Sequence, residues 1–389
     1  MTEPTLNYVS CPDAAGGHRM AYWQWGRPDS GHVVVCVHGL SRQGRDFDVL
    51  AQALCEQAAQ GPDGIRVICP DVVGRGESDW LKDPMGYQLP TYAADMLVLL
   101  AQLHAQSPVT TLDWLGTSMG GLIGMVVCSQ GTSPPATERS AGPPQASSAP
   151  SGGSVLHEVK RVGAQFSAGP PQGKLAPSGG SVLHEVKRVG AQFSAGPPQG
   201  KLAPSGGSVL HEVKSVGAQF PVRRLVLNDV GPAIQWQAIV RIGAYLGQAG
   251  HFSTLQEAAD AMWAVSQGFG PHTPEQWLAL SRPMVKPVSG TADSKLRLHY
   301  DPAIAVPFKR ATEASTQQGE AMLWQLYDSI SAQTLLTRGA LSDLLSPETA
   351  RAMTERGPHA RLVEFEGVGH VPTLVAKDQV AAVAGFLLA

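Results

Sequence analysis

The chain has 389 residues, of which 43% are hydrophobic and 16% charged, with a formal net charge of −3. Such a composition can bury a large core, and it lacks the basic field that nucleic acid or another polyanion would need. Met1 to Asn7 show no charged start followed by an apolar core, and no apolar run approaches the roughly 20 residues of a membrane span, so a cytoplasmic protein without a membrane partner is expected.

In chain order, the first informative element is the continuous apolar run Val33 to Val37, read as a buried strand of a parallel sheet that ends in His38-Gly39-Leu40. In an acyl-transfer enzyme a loop in this place donates a backbone N–H to the developing oxyanion. The second donor is the residue after the nucleophile, so the expected pair is Leu40 and Met119. His38 is read as an anchor of its loop rather than a proton carrier. Asp71 to Asp79 reads as a structural turn: its Gly74-x-Gly76 lacks the third glycine and the opening helix of a dinucleotide fingerprint, and no cofactor is expected.

Val109 to Leu115 is the next predicted strand, and Gly121 to Val127 the next helix. Between them lies Gly116-Thr117-Ser118-Met119-Gly120, a G-x-S-x-G pattern in strand, tight turn, helix context. Glycines two before and two after the serine let the backbone turn sharply and hold the hydroxyl exposed above the sheet in a strained conformation. A later strand, Leu225 to Leu227, ends in Asn228-Asp229. Thr334 to Gly339 reads as another strand, with Asp343 in the loop behind it, and Ala360 to Glu366 as the last strand, followed by Gly369-His370-Val371-Pro372. The order Ser118, Asp343, His370 suits a hydrolytic triad, with Asp229 as the alternative acid.

Two segments depart from a minimal core. The chain is longer than the roughly 250 to 300 residues expected for one such domain with its cap, and a 27-residue unit that begins at Ser167 and again at Ser194, with a variant copy from Ser140, accounts for the excess. Copies agree almost letter for letter, as in a recent tandem duplication, and their Pro, Gly and Ser content predicts disorder. Helical periodicity in Ile234 to Val240 and Leu255 to Trp263 predicts a helical cap whose Trp236, Trp263, Trp277 and Trp324 could line an apolar pocket. The expected organisation is core over 1–131, repeat insert over 132–220, core strand and loop over 221–232, cap over 233–332 and core again over 333–389. The five cysteines read as reduced packing residues, and none has metal-ligand spacing with another Cys or His, so no metal is expected.

The His-Gly loop, the Asp71 to Asp79 segment, the Ser118 elbow, Arg338-Gly339 through Asp343 and Gly369-His370-x-Pro372 together resemble the α/β-hydrolase fold superfamily. The resemblance implies an α/β architecture: a mostly parallel sheet flanked by helices. It also implies Ser118 as nucleophile, His370 as general base and then acid, and Asp343 holding the imidazole in its productive tautomer. Haloalkane dehalogenases and epoxide hydrolases of this fold use an Asp nucleophile, which the elbow serine excludes. The expected activity is hydrolysis of a small or medium carboxylic ester or lactone by a monomer or homodimer acting on a small molecule. Carbon–carbon bond hydrolysis of ring-cleavage products, acyl transfer and noncatalytic binding on a hydrolase scaffold are the alternatives.

Overall fold

The computed structural model describes residues 3–13, 15–59, 64–130, 221–248, 250–288 and 295–389. The repeat insert expected over 132–220 lies outside the described residues.

An eight-stranded sheet organises the chain, in the spatial order β1-β2-β4-β3-β5-β6-β10-β11. In sequence these are β1 (Thr5–Cys11), β2 (His18–Gly26), β3 (His32–Val37), β4 (Arg66–Pro70), β5 (Thr111–Thr117), β6 (Val222–Asn228), β10 (Gln333–Gly339) and β11 (Arg361–Phe365). The antiparallel pairs are β1 with β2 and β2 with β4, and every pair from β4 to β11 is parallel.

The unbroken apolar run of β3 follows from burial on both faces. Val33, Val35 and Val37 enter a core shared with Leu99 and Leu103 of α2 (Leu89–Gln106) and Ile123 of α3 (Met119–Gln130). On the other face, Val34 and Cys36 meet Leu50 and Leu54 of α1 (Asp48–Ala58) and Val383 and Leu387 of the last helix (Lys377–Leu387). A strand with helices on both sides has no solvent face on which a polar residue is stabilising, and each fully buried valine contributes roughly 1.5 to 3 kcal/mol. Cys36 and Cys69 are buried in β3 and β4, and the five cysteines are all unpaired.

Between β6 and β10 the chain forms α4 (Trp236–Tyr245), α5 (Leu255–Ser266), α6 (Pro274–Ser281), α7 (Ala305–Phe308) and α8 (Glu313–Asp328). The same stretch also holds a small antiparallel sheet of β7 (His251–Phe252), β9 (Leu296–Leu298) and β8 (Val285–Pro287), which helical periodicity does not reveal. Backbone bonds tie this stretch to the Asp71 to Asp79 turn: Asp301 N–H donates to Gly74 O at 2.7 Å and Gly76 N–H to His299 O at 2.9 Å. After β10 come α9 (Pro347–Glu355), β11 and α10 (Lys377–Leu387). No helix of the described residues is long and apolar enough to cross a membrane.

Candidate active site

β5 delivers the chain to the elbow. Ser118 has φ 51°, a left-handed conformation costly for a residue with a side chain, and α3 begins at the next residue. The flanking glycines are a steric requirement: a Cβ at Gly116 would run into the Gly120 carbonyl, and one at Gly120 into the Val37 carbonyl. The turn is fixed by Ser118 N–H donating to Asn228 O at 3.0 Å and by Gly121 N–H donating to Ser118 O at 2.9 Å.

His370, in the loop after β11, faces the elbow with its Nε2 3.1 Å from Ser118 Oγ. Its other nitrogen, Nδ1, lies 2.7 Å from Asp229 Oδ2. Asp229 is fully buried and also accepts from Gly339 N–H at 3.0 Å and from the Ser342 hydroxyl at 2.7 Å. A carboxylate held by three donors cannot rotate away from the imidazole, so Nδ1 carries the proton and Nε2 is free to accept one.

The acid beside His370 is therefore Asp229, and the expected placement of Asp343 is corrected. Asp343 does lie in the loop after β10, but its side chain is 49% exposed and makes a two-point ion pair with Arg241 of α4, at 2.7 and 2.8 Å. The reason is sheet order. β6 and β10 are neighbours, with Asn228 opposite Thr337, so an acid one residue past β6 reaches the same histidine as an acid past β10. The loop after β10 contributes Ser342 to the carboxylate instead.

Asn228 was not singled out in the sequence, yet it ties the parts together. Its amide donates to Thr117 Oγ1 at 3.0 Å and to Pro372 O at 2.9 Å, and it accepts from Thr337 Oγ1 at 2.8 Å. It thus links the elbow strand, β10 and the histidine loop. The available signal was a buried polar residue directly after the apolar run Leu225 to Leu227.

His38 is fully buried; burial lowers its pKa to about 3, so the ring stays neutral, with Nδ1–H donating to Gly39 O at 2.7 Å and Nε2 accepting from Val72 N–H at 2.9 Å. Among the described residues no group accepts a hydrogen bond from Leu40 N–H or Met119 N–H.

Ser118 and His370 line a cavity of about 350 Å³ together with Tyr245, Phe252, Met262, Phe269 and Leu280. The four tryptophans expected to line a pocket do not. Trp263 and Trp277 stack edge to face at 5.0 Å within their own helical cluster, and Trp324 packs on Tyr327 at 5.8 Å. Arg42 also reaches the cavity, its guanidinium bonded to Asp46 at 2.6 and 2.7 Å.

Outside this cavity Cys11, His18 and Asp95 come within 4.8 Å of one another through potential ligand atoms. Hydrogen bonding accounts for the grouping: His18 Nδ1 meets Asp13 at 3.0 Å and Nε2 meets Asp95 at 2.9 Å. Burial alone would lower the His18 pKa, but the bonds and charges of Asp95 and Asp13 outweigh it and raise the value to about 8.

Comparison with known proteins bears on the family and the fold. Residues 32–135 match the family model described as alpha/beta hydrolase fold. A 3-hydroxybutyrate-oligomer hydrolase from Cupriavidus necator is 38% identical over 378 residues, covering 97% of this chain and 96% of that protein. An alpha/beta hydrolase structure from Novosphingobium aromaticivorans is similar at 26% identity and TM-score 0.64, covering 100% of this chain and 99% of the other. A Rickettsia typhi structure shares the fold at 21% identity and TM-score 0.65, with 100% and 99% coverage.

Proposed function

This chain belongs to the α/β-hydrolase family and is a hydrolase, and from that premise we propose that it cleaves short oligoesters of 3-hydroxybutyrate through an acyl-enzyme on Ser118. The observation that carries the proposal is the contact chain Ser118 Oγ, His370 Nε2, His370 Nδ1, Asp229 Oδ2, with steps of 3.1 and 2.7 Å, whose Ser118 and His370 line the cavity.

In the proposed mechanism Ser118 Oγ attacks the ester carbonyl while its proton passes to His370 Nε2. Asp229 stabilises the imidazolium without taking its proton, and the N–H groups of Leu40 and Met119 receive the oxyanion. Collapse breaks the bond to the alcohol, which leaves with the proton from His370. Water then attacks the acyl-Ser118 ester, giving its proton to His370, and the second collapse returns that proton to Ser118 as the hydroxy acid departs. Attacking and leaving groups are both neutral before and after each half, so no further acid, metal or cofactor is required by the balance.

The substrate class draws support from the Cupriavidus necator relative and from the cavity. A volume of about 350 Å³ sits at the lower end of the roughly 300 to 1,000 Å³ of small-molecule sites, which suits a short oligoester with apolar methyl branches against Phe252, Met262 and Phe269. In this reading the stretch between β6 and β10 acts as the cap over the acyl chain.

The test is a substrate panel with purified protein: 3-hydroxybutyrate trimer, p-nitrophenyl butyrate, a lactone and a vinylogous diketone. Release of monomer from the trimer, lost in Ser118→Ala, is expected. Turnover of the diketone with no ester cleavage would transfer the chain to carbon–carbon hydrolysis.

A further inference from the structure

Arg75 is fully buried, and no carboxylate of the described residues pairs with it, whereas Arg42, Arg223, Arg241 and Arg338 each hold one. Its partners are neutral: Nε–H donates to Leu40 O at 2.8 Å, and Nη1–H donates to Val73 O at 2.7 Å and to Tyr92 Oη at 3.1 Å. Nη2 lies 3.8 Å from Met119 Sδ, and the guanidinium carbon stands 5.0 Å from the Tyr92 ring centre. A buried cation without a counter-charge costs several kcal/mol, and an apolar residue of similar size would avoid that cost.

The turn holds the side chain there deliberately. Gly74 and Gly76 both have positive φ, 85° and 53°, and a Cβ at Gly74 would come within 2.6 Å of the Tyr87 ring. Arg66 is also buried with only carbonyl partners, but it lies at the first residue of β4, bonded to Pro28, Leu103 and Ser107 at the opposite edge of the sheet. Arg75 differs in what it touches: Leu40 O and Met119 Sδ, of the two residues whose N–H groups are the oxyanion donors in the mechanism proposed above.

We propose that Arg75 is a positioning residue of the oxyanion site, fixing the Leu40 loop through its carbonyl and supplying an uncompensated positive charge to the anion that forms there. The missing counter-charge is the transient oxyanion itself, so the interaction is stronger in the transition state than with bound substrate, which is the condition for raising kcat rather than lowering KM. This rests on the serine-hydrolase reading above and not on the identity of the ester.

The experiment compares wild type, Arg75→Met and Arg75→Lys on p-nitrophenyl butyrate and in binding an aryl trifluoromethyl ketone. With the ketone, Ser118 Oγ bonds to the carbonyl carbon, the carbonyl π pair becomes the oxyanion, and the hydroxyl proton moves to His370. Arg75→Met is expected to lower kcat by about 100-fold, the scale of losing one oxyanion donor, with KM changed less than about 3-fold and ketone affinity falling in step with kcat/KM. Arg75→Lys, which keeps the charge without the fork, is expected to recover part of both. Should Arg75→Met fail to fold, Arg75→Lys decides, with a parallel loss of about 10-fold in kcat/KM and ketone affinity expected. Wild-type kcat in a folded variant, or a loss of kcat with unchanged ketone affinity, overturns the proposal. Absence of any ester turnover by wild type would instead refute the hydrolase mechanism on which it rests.

Discussion

Replacing Asp229 by Asn tests the site most sharply, because the structure dictates how the amide must sit. One carboxylate oxygen accepts from Gly339 N–H and the other from His370 Nδ1 and Ser342 Oγ. If the amide nitrogen faces Gly339, two donors oppose each other in a buried site, at a cost of about 1 to 3 kcal/mol. If it faces His370, Gly339 stays satisfied but the imidazole must present a bare Nδ1, which moves its proton to Nε2, where it blocks transfer from Ser118. The second arrangement is favoured locally and is catalytically dead. A wrong-tautomer trap of this kind costs about 10⁴ in kcat, or about 5.4 kcal/mol of barrier. Asp343→Asn removes a half-exposed ion pair with Arg241, worth at most about 1 kcal/mol, and kcat should stay within about 3-fold of wild type. The assay is steady-state hydrolysis of p-nitrophenyl butyrate, with circular dichroism to confirm folding. An Asp229→Asn enzyme retaining a tenth of its activity, or an Asp343→Asn enzyme losing more, refutes the reasoning.

Three further outcomes are expected. His18, pinned between Asp13 and Asp95 with a pKa raised from 6.5 to about 8, stabilises the fold fully below pH 6.5 and loses that contribution as pH rises through 8, a change of about 2 kcal/mol. His18→Gln should flatten this slope in thermal melts, and parallel curves for the two proteins would contradict it. Ser118→Gly should melt higher than Ser118→Ala, since glycine alone adopts φ 51° without strain of about 1 kcal/mol; equal melting temperatures would argue against a strained elbow. Replacing residues 132–220 by a short Gly-Ser linker should leave kcat within about 2-fold, because α3 carries the chain about 18 Å from Ser118 before that segment starts, and loop-closure cost grows only slowly with length. Loss of turnover in a folded deletion protein would show that the segment serves the site.

What the sequence disclosed, and what it hid, follows from the range of each interaction. The elbow was legible because Gly116, Ser118 and Gly120 answer to a backbone turn five residues long. β3 was legible because burial on both faces demands an unbroken apolar run. The acid was not, since Asp229 and Asp343 both follow strands at the right edge and only the adjacency of β6 and β10 lets the earlier one reach His370. Tryptophans at helical spacing showed an apolar helix face without showing that it packs on a sister helix rather than on substrate. Strands of two or three residues, such as β7 and β8, are too short to carry a period. Arg75 was visible only as a letter in a glycine-rich turn, because its meaning lies in Leu40, Tyr92 and Met119, each distant in sequence.

The most direct measurement is to quench the reaction with 3-hydroxybutyrate trimer in acid within the first turnover and map the modified peptide by mass spectrometry. A hydroxybutyryl ester on Ser118, accumulating more in a variant slowed at deacylation and absent from Ser118→Ala, is the predicted result. Trimer consumed with Ser118 unmodified, or with the acyl group on another residue, would contradict the account.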